Sequence, residues 1–177
     1  MKHNQGTFNI LVGIDYTEAS REALREARHQ ASIYGRTVIH VLHALPITAQ
    51  YSHGLFPDSP LFNDRGEAYA LARLERFVAS ERDRVLDADS DKIEGRVDYV
   101  SHVREADASS VISDLARDVK ADLIIVGTHD RKGLVRWLLG SVSRKVAADA
   151  PCSVLVVRQE GQSTQRRKDF LDKAHAA

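Results

Sequence analysis

Ala121 to Val157 (ADLIIVGTHDRKGLVRWLLGSVSRKVAADAPCSVLVV) is the stretch that most narrows what this chain can fold into. An apolar run, Leu123 to Val126, stops at Gly127. A short polar, basic loop follows, and Gly140-Ser141 then opens a helical pattern. A second apolar run, Val154 to Val157, closes the unit. Strand, glycine-bearing loop, helix and strand in this order describe a parallel crossover. Such a loop offers backbone N–H groups and a helix N-terminus to an anion.

The rest of the chain repeats the alternation. Phe8 to Ile14 is a nearly continuous, β-branched run that reads as a strand buried on both faces. After Asp15, Ala19, Ala23, Leu24, Ala27 and Ala31 recur at helical spacing, with Thr17 placed to cap the start and Gly35 the end. Thr37 to Leu42 is again strand-like. From Pro46 to Gly66, prolines, glycines and short polar residues predict a long irregular connection. A helix is predicted from Glu67 to about Asp87. Leu71, Leu74, Phe77, Val78, Val85 and Leu86 face inward, and Arg73, Glu75, Arg76, Glu81 and Arg82 lie on a solvated face. Asp87, Asp89 and Asp91 form a linker turn without the glycine and distal glutamate of a calcium loop. Arg96 to Val103 alternates as a strand, and Ala108, Val111, Ile112, Leu115, Ala116 and Val119 mark a helix.

Five strands alternating with four helices predict an α/β fold, an open parallel sheet covered by helices on both faces. Residues 1–7 read as a frayed start, 8–158 as one domain and 159–177 as a polar tail. Ligands of such sheets sit beyond the carboxyl ends of the strands. Asp15, His43-Ala44 and Gly127 onward are expected at that edge.

Charge and cysteine content restrict the function. Lys plus Arg and Asp plus Glu number 25 each, so the formal net charge is zero. A general nucleic-acid or anionic-membrane binder usually needs a basic excess, so neither partner is expected. One cysteine, Cys152, cannot form an internal disulfide, which suits a reducing compartment. MKHNQGTFN has no apolar signal core, and no apolar run approaches the roughly 18 residues of a membrane span. The expected location is the cytoplasm.

ILVGIDYTEASREAL near the start, ADLIIVGTHDRKGL, and LLGSVSRKVAADAPCSVLVV near the end together resemble the universal stress protein family over roughly Phe8 to Arg158. The resemblance implies a five-stranded, doubly wound sheet of strand order 3-2-1-4-5, similar to adenine nucleotide alpha hydrolases. It also implies a signature for nucleotide-binding members: Gly, two residues, Gly, nine residues, Gly, then Ser or Thr. Gly127 fills the first position, Gly140 the third and Ser141 the hydroxyl, with Val142 following. Asp130 stands where the second glycine belongs. By the same resemblance Asp15 holds the adenosine part, the backbone near Val41 meets the adenine, and Ser153 to Val157 pairs with its twin in a homodimer. The implied cofactor is ATP or another adenine nucleotide with Mg²⁺. The implied role is a stress-response binding or signalling module with protein partners still to be identified. A slow ATPase or adenylyl-transferring enzyme on the same fold is the alternative.

Each candidate also has a plainer reading. Asp15 either accepts hydrogen bonds from a nucleoside or helps cap the next helix. Gly127 and Gly140 either let backbone approach a phosphate or serve ordinary turns. Ser141 either caps its helix or donates to a phosphate, and His129, Arg131, Lys132 and Arg144 either neutralise phosphates or decorate a solvated loop. Asp130 opposes the phosphate end. At about 5 Å and an effective dielectric near 20, it repels each phosphate charge by about 3 kcal/mol, against about 8 kcal/mol for micromolar binding. One carboxylate is a slender basis for holding Mg²⁺. His40, His43, His53 and His102 show no metal spacing along the chain, so no metal site is expected, although His43 falls at the ligand edge. Cys152 reads as a small buried thiol with no histidine partner. Leu134, Trp137 and Leu138 read as anchors for the loop. No residue is assigned as catalytic. A phosphoacceptor domain would need clustered acids that only Asp15 begins to supply, and no GxGxxG follows the first strand for a dinucleotide fold.

Overall fold

Parallel pairing organises the whole sheet of this computed structural model, which describes residues 6–46, 64–84, 95–128 and 140–158. The elements run β1 (Phe8–Gly13), α1 (Glu18–Ile33), β2 (Thr37–Leu45), α2 (Asp64–Arg84), β3 (Val97–Glu105), α3 (Ala108–Asp118), β4 (Leu123–Thr128), α4 (Ser141–Asp149) and β5 (Ser153–Arg158). The strands lie in the order β3-β2-β1-β4-β5 and every adjacent pair is parallel. This is the doubly wound sheet that the alternation and the resemblance together predict.

The sheet carries a core on each face. Ile10, Val12, Ile39, Val41 and Ile125 pack with Ala23, Leu24 and Ala27 of α1 and Leu74, Phe77 and Val78 of α2. Leu11, Leu42, Ile124 and Val126 pack with Val111, Ile112 and Leu115 of α3 and Val146 of α4. Successive residues of the central strands thus serve opposite faces, which is why those strands read as unbroken apolar runs. Each fully buried Leu or Ile contributes about 1.5–3 kcal/mol from transfer out of water.

Several boundaries differ from the sequence expectation. β2 continues to Leu45, because β3 runs on beside it after β1 has ended. His43 and Ala44 therefore lie within β2 rather than after it. β3 begins at Val97 and reaches Glu105, and α2 begins at Asp64. Residues 85 and 86, expected on its inner face, lie outside the described residues, as do 87–91 and most of the 46–66 connection.

Two assignments are corrected. Gly35 is not a left-handed helix cap; the left-handed glycine among the described residues is Gly95, ahead of β3. α1 instead stops at an extended Tyr34, whose N–H donates to the Gln30 carbonyl and whose ring stacks on Phe8 at 3.9 Å. That contact turns the chain directly into β2. Glu81 does not belong to the solvated face of α2. It is 2% exposed, one turn beyond Phe77 and Val78 on the buried stripe, and it pairs with Arg21 of α1. The pairing offsets the cost of removing both charges from water.

Candidate functional site

The carboxyl edge of the sheet is assembled around the divergence of β1 and β4. These strands are neighbours, yet α1 leaves β1 for one face and α4 leaves β4 for the other. A crevice at such a point is where open α/β sheets receive ligands.

On the β1 side, Ile14 extends the ladder by donating its N–H to the Leu42 carbonyl at 2.8 Å. The chain then turns sharply. Tyr16 takes a left-handed conformation, φ 64, rare for a bulky residue. Asp15 is exposed, and its Oδ1 accepts from the Thr17 N–H at 3.0 Å and the Thr17 hydroxyl at 2.5 Å. Thr17 is the N-cap of α1, with its own Oγ1 accepting from the Ser20 N–H at 3.4 Å. Asp15 thus does not cap the helix itself; it braces the residue that does. The Tyr16 ring packs against His43 and Phe77, and the Arg73 guanidinium lies 4.0 Å from its centroid. Burial lifts the Tyr16 phenol above its ordinary range, partly opposed by Arg73, so it stays neutral at physiological pH.

β2 contributes differently from the expectation. Val41 is fully buried and lies in register between Val12 of β1 and Ser101 of β3. Its backbone belongs to the interior of the sheet, so it cannot meet a base at the edge. Ala44 lies past the end of β1, in register with Arg104 of β3. Its neighbour His43 donates Nδ1–H to the Ile14 carbonyl at 2.8 Å, tying the two strand ends together. The sequence reading ended β2 at Leu42, whereas the strand runs to Leu45.

Gly127 has a structural reason stronger than turn geometry. A Cβ there would stand 2.5 Å from the carbonyl carbon and oxygen of Ala19 and 2.9 Å from the Ser20 nitrogen. The first turn of α1 crosses directly over the end of β4, and only a glycine admits it. Gly140 differs. A Cβ there would meet Ser143 Oγ at 3.5 Å and Thr128 Oγ1 at 3.7 Å, which are ordinary contacts, and its backbone, φ −52 and ψ 156, suits any residue. The N–H of Gly140 donates to Thr128 Oγ1 at 3.4 Å. The chain therefore returns, after residues 129–139, to the point where it left β4.

Gly140 is itself the N-cap of α4, and among the described residues no side chain caps that turn. Ser141 is the first helical residue, which corrects the reading of Ser141 as cap. Its side chain and that of Val142 are exposed. Ser143 is buried and its hydroxyl donates to the Gly140 carbonyl at 3.1 Å. No acidic residue lies in the first turn, so the positive end of the helix dipole has no protein carboxylate within that turn. Asp130, His129, Arg131, Lys132, Leu134, Trp137 and Leu138 lie outside the described residues. Among the described residues no group of three or more His, Cys, Asp and Glu could hold a metal.

Known proteins resemble this chain in sequence and in fold. A family model described as the universal stress protein family matches residues 7–158.

The chain belongs to the universal stress protein family.

Universal stress protein G of Salmonella typhimurium is 30% identical over 153 residues, covering 86% of this chain and 98% of that protein. Among solved structures, a universal stress protein from Lactobacillus plantarum superposes with TM-score 0.57 at 22% identity, covering 88% of this chain and all of the other. An Arabidopsis thaliana member with AMP bound superposes with TM-score 0.55 at 18% identity, covering 89% and 95%. At these identities the two structures establish a shared fold. Among the described residues no helix is long and apolar enough to cross a membrane.

Proposed function

We propose that this universal stress protein is a stress-response binding module that takes an adenine nucleotide, ATP with Mg²⁺ first among them, between the ends of β1 and β4. The observation that carries the reading is the start of α4. Among the described residues its first turn has no side-chain cap and no acidic residue, and a Cβ on the glycine before it would make only ordinary contacts. Free N–H groups and a helix dipole suit a phosphate, and a bare backbone at Gly140 suits its close approach. In this reading Gly127 keeps α1 seated, while Gly140, Ser141 and Val142 receive phosphate. Asp15 and the Ala44 backbone receive the nucleoside. Mg²⁺ arrives on the phosphates rather than on a carboxylate cluster. The AMP bound to the Arabidopsis member agrees with the class of ligand.

Asp130 weakens the phosphate end by charge repulsion. Isothermal titration of the full chain with ATP and Mg²⁺ tests this. Asp130→Gly tightens binding by about tenfold or more, after screening offsets part of the repulsion. Unchanged affinity means that the carboxylate faces away, and submicromolar affinity in the natural chain contradicts a weakened site.

The reading extends to a cytoplasmic homodimer that signals to other proteins. β5 is a sheet edge, and Val154 to Val157 remain only half-buried. An apolar edge of this kind needs cover, which a second copy of β5 supplies. Light scattering that gave a monomer at micromolar concentration would count against it.

A further inference from the structure

The sheet brings together two histidines that lie far apart in the chain and that the nucleotide reading does not use. His40 of β2 aligns with Val100 of β3, and His102 aligns with Leu42, so the two rings are diagonal neighbours on one face. His40 Nδ1 and His102 Nε2 are 3.0 Å apart, with the ring planes 34° from parallel. Both residues are half-buried, beside Val100, which is 40% exposed. Solvent therefore reaches the neighbourhood of the pair.

We propose that His40 and His102 form a two-imidazole site for a divalent late first-row transition metal such as zinc, with water completing the coordination. Two nitrogens, each about 2.0 Å from a tetrahedral zinc, stand about 3.3 Å apart. The pair needs only to open by a few tenths of an ångström. Backbone pairing of β2 with β3 holds both rings in place, so little order is lost on binding. Without metal, one ring donates an N–H to the lone pair of the other. On binding, the donor ring's proton moves through water to its outer nitrogen, both facing lone pairs go to the metal, and no net proton is released.

The charged residues of β3 on this face are themselves paired. Arg104, next along this face of β3, is paired with Asp118 of α3 at 3.3 Å, and Asp98 is paired with Arg36 at 3.2 Å. Burial, and then His102, hold His40 down at about 4, while burial, and then Arg104, lower His102. Both rings are therefore neutral near pH 7, the state a metal requires. Among the described residues no third His, Cys, Asp or Glu completes a cluster, so affinity is below that of a closed four-ligand site.

Long-range proton–nitrogen spectra of the imidazoles, recorded on the full chain at neutral pH during titration with zinc chloride, test the site. The facing nitrogens of His40 and His102 shift together along one saturation curve. In His40→Gln, the zinc-dependent shift of His102 is lost, and in His102→Gln that of His40 is lost. Circular dichroism verifies that each variant is folded. Shifts that saturate at different zinc concentrations in the natural chain overturn the proposal without recourse to any variant. So does a shift that persists in the remaining ring of either variant, or the absence of a shift at His40 and His102 while other histidines respond.

Discussion

Gly127 and Gly140 belong to one sequence signature and lie at the two ends of one excursion, yet they answer to different demands. At Gly127 a side chain would collide with the backbone of α1. At Gly140 a side chain would fit, and the helix it precedes has no side-chain cap. The first glycine is explained by the protein alone. Nothing in the described packing demands the second, and the proposed function gives it a phosphate to face. On that reading a shared motif combines a folding residue with a binding residue.

The largest expected effect tests the first half of that contrast. Gly127→Ala should cost about 3 kcal/mol, because α1 must lift from β4 or the strand must bend. Urea unfolding measures it, and an unchanged midpoint would show that the Ala19 backbone gives way freely.

Acid probes the sheet away from both glycines. The folded His40 and His102 titrate below the ordinary histidine range. Their contribution to stability is complete above about pH 6.5, the unfolded value. It declines as pH falls and is lost once the pH has passed through about 4 for His40. With His40 partly exposed, its share of the loss is on the order of 2 kcal/mol. Urea midpoints across this range should flatten in a His40→Gln, His102→Gln double variant. If ATP binding at the sheet edge is separate from this pair, saturating ATP raises the midpoints without altering their pH dependence. A changed dependence would show the two regions to be coupled.

Gly140→Ala tests the second half. Stability should stay within about 0.5 kcal/mol, since the backbone there is open to alanine and the unfolded chain loses freedom. ATP affinity should fall about tenfold, or about 1.4 kcal/mol. Titration and unfolding on the same variant decide it. A loss of stability with unchanged affinity would reverse the assignment.

The smallest effect joins the two. Thr128→Val removes the hydroxyl that accepts from the Gly140 N–H, a long bond at 3.4 Å. Stability should fall by less than about 1 kcal/mol. A parallel, modest loss of ATP affinity would show that this bond positions the start of α4.

The order of elements was legible in the sequence because each element carries its own local signal. Leu123 to Val126 is too short and too apolar for anything but a buried strand between turns, and Ala19, Ala23, Leu24 and Ala27 declare one helix face. Thr17 was legible as a cap from its position. The ligand edge followed from the alternation, which left Asp15 just past β1 and Gly127 one residue short of the end of β4. The reach of β2 was less legible, because His43 and Ala44 continue a strand only on account of β3 beside them. In the proposed function the base contact therefore falls at Ala44 rather than Val41.

By itself the sequence determined an alternating α/β chain, its family likeness, and the residue types at its sheet edge, because these depend on periodicity and on spacing along the chain. The tertiary structure alone decided which distant residues meet. It put Ala19 over Gly127, paired Arg21 with buried Glu81, and set His40 against His102. These contacts join residues many positions apart through strand register and helix packing, and neither quantity is written in any local stretch.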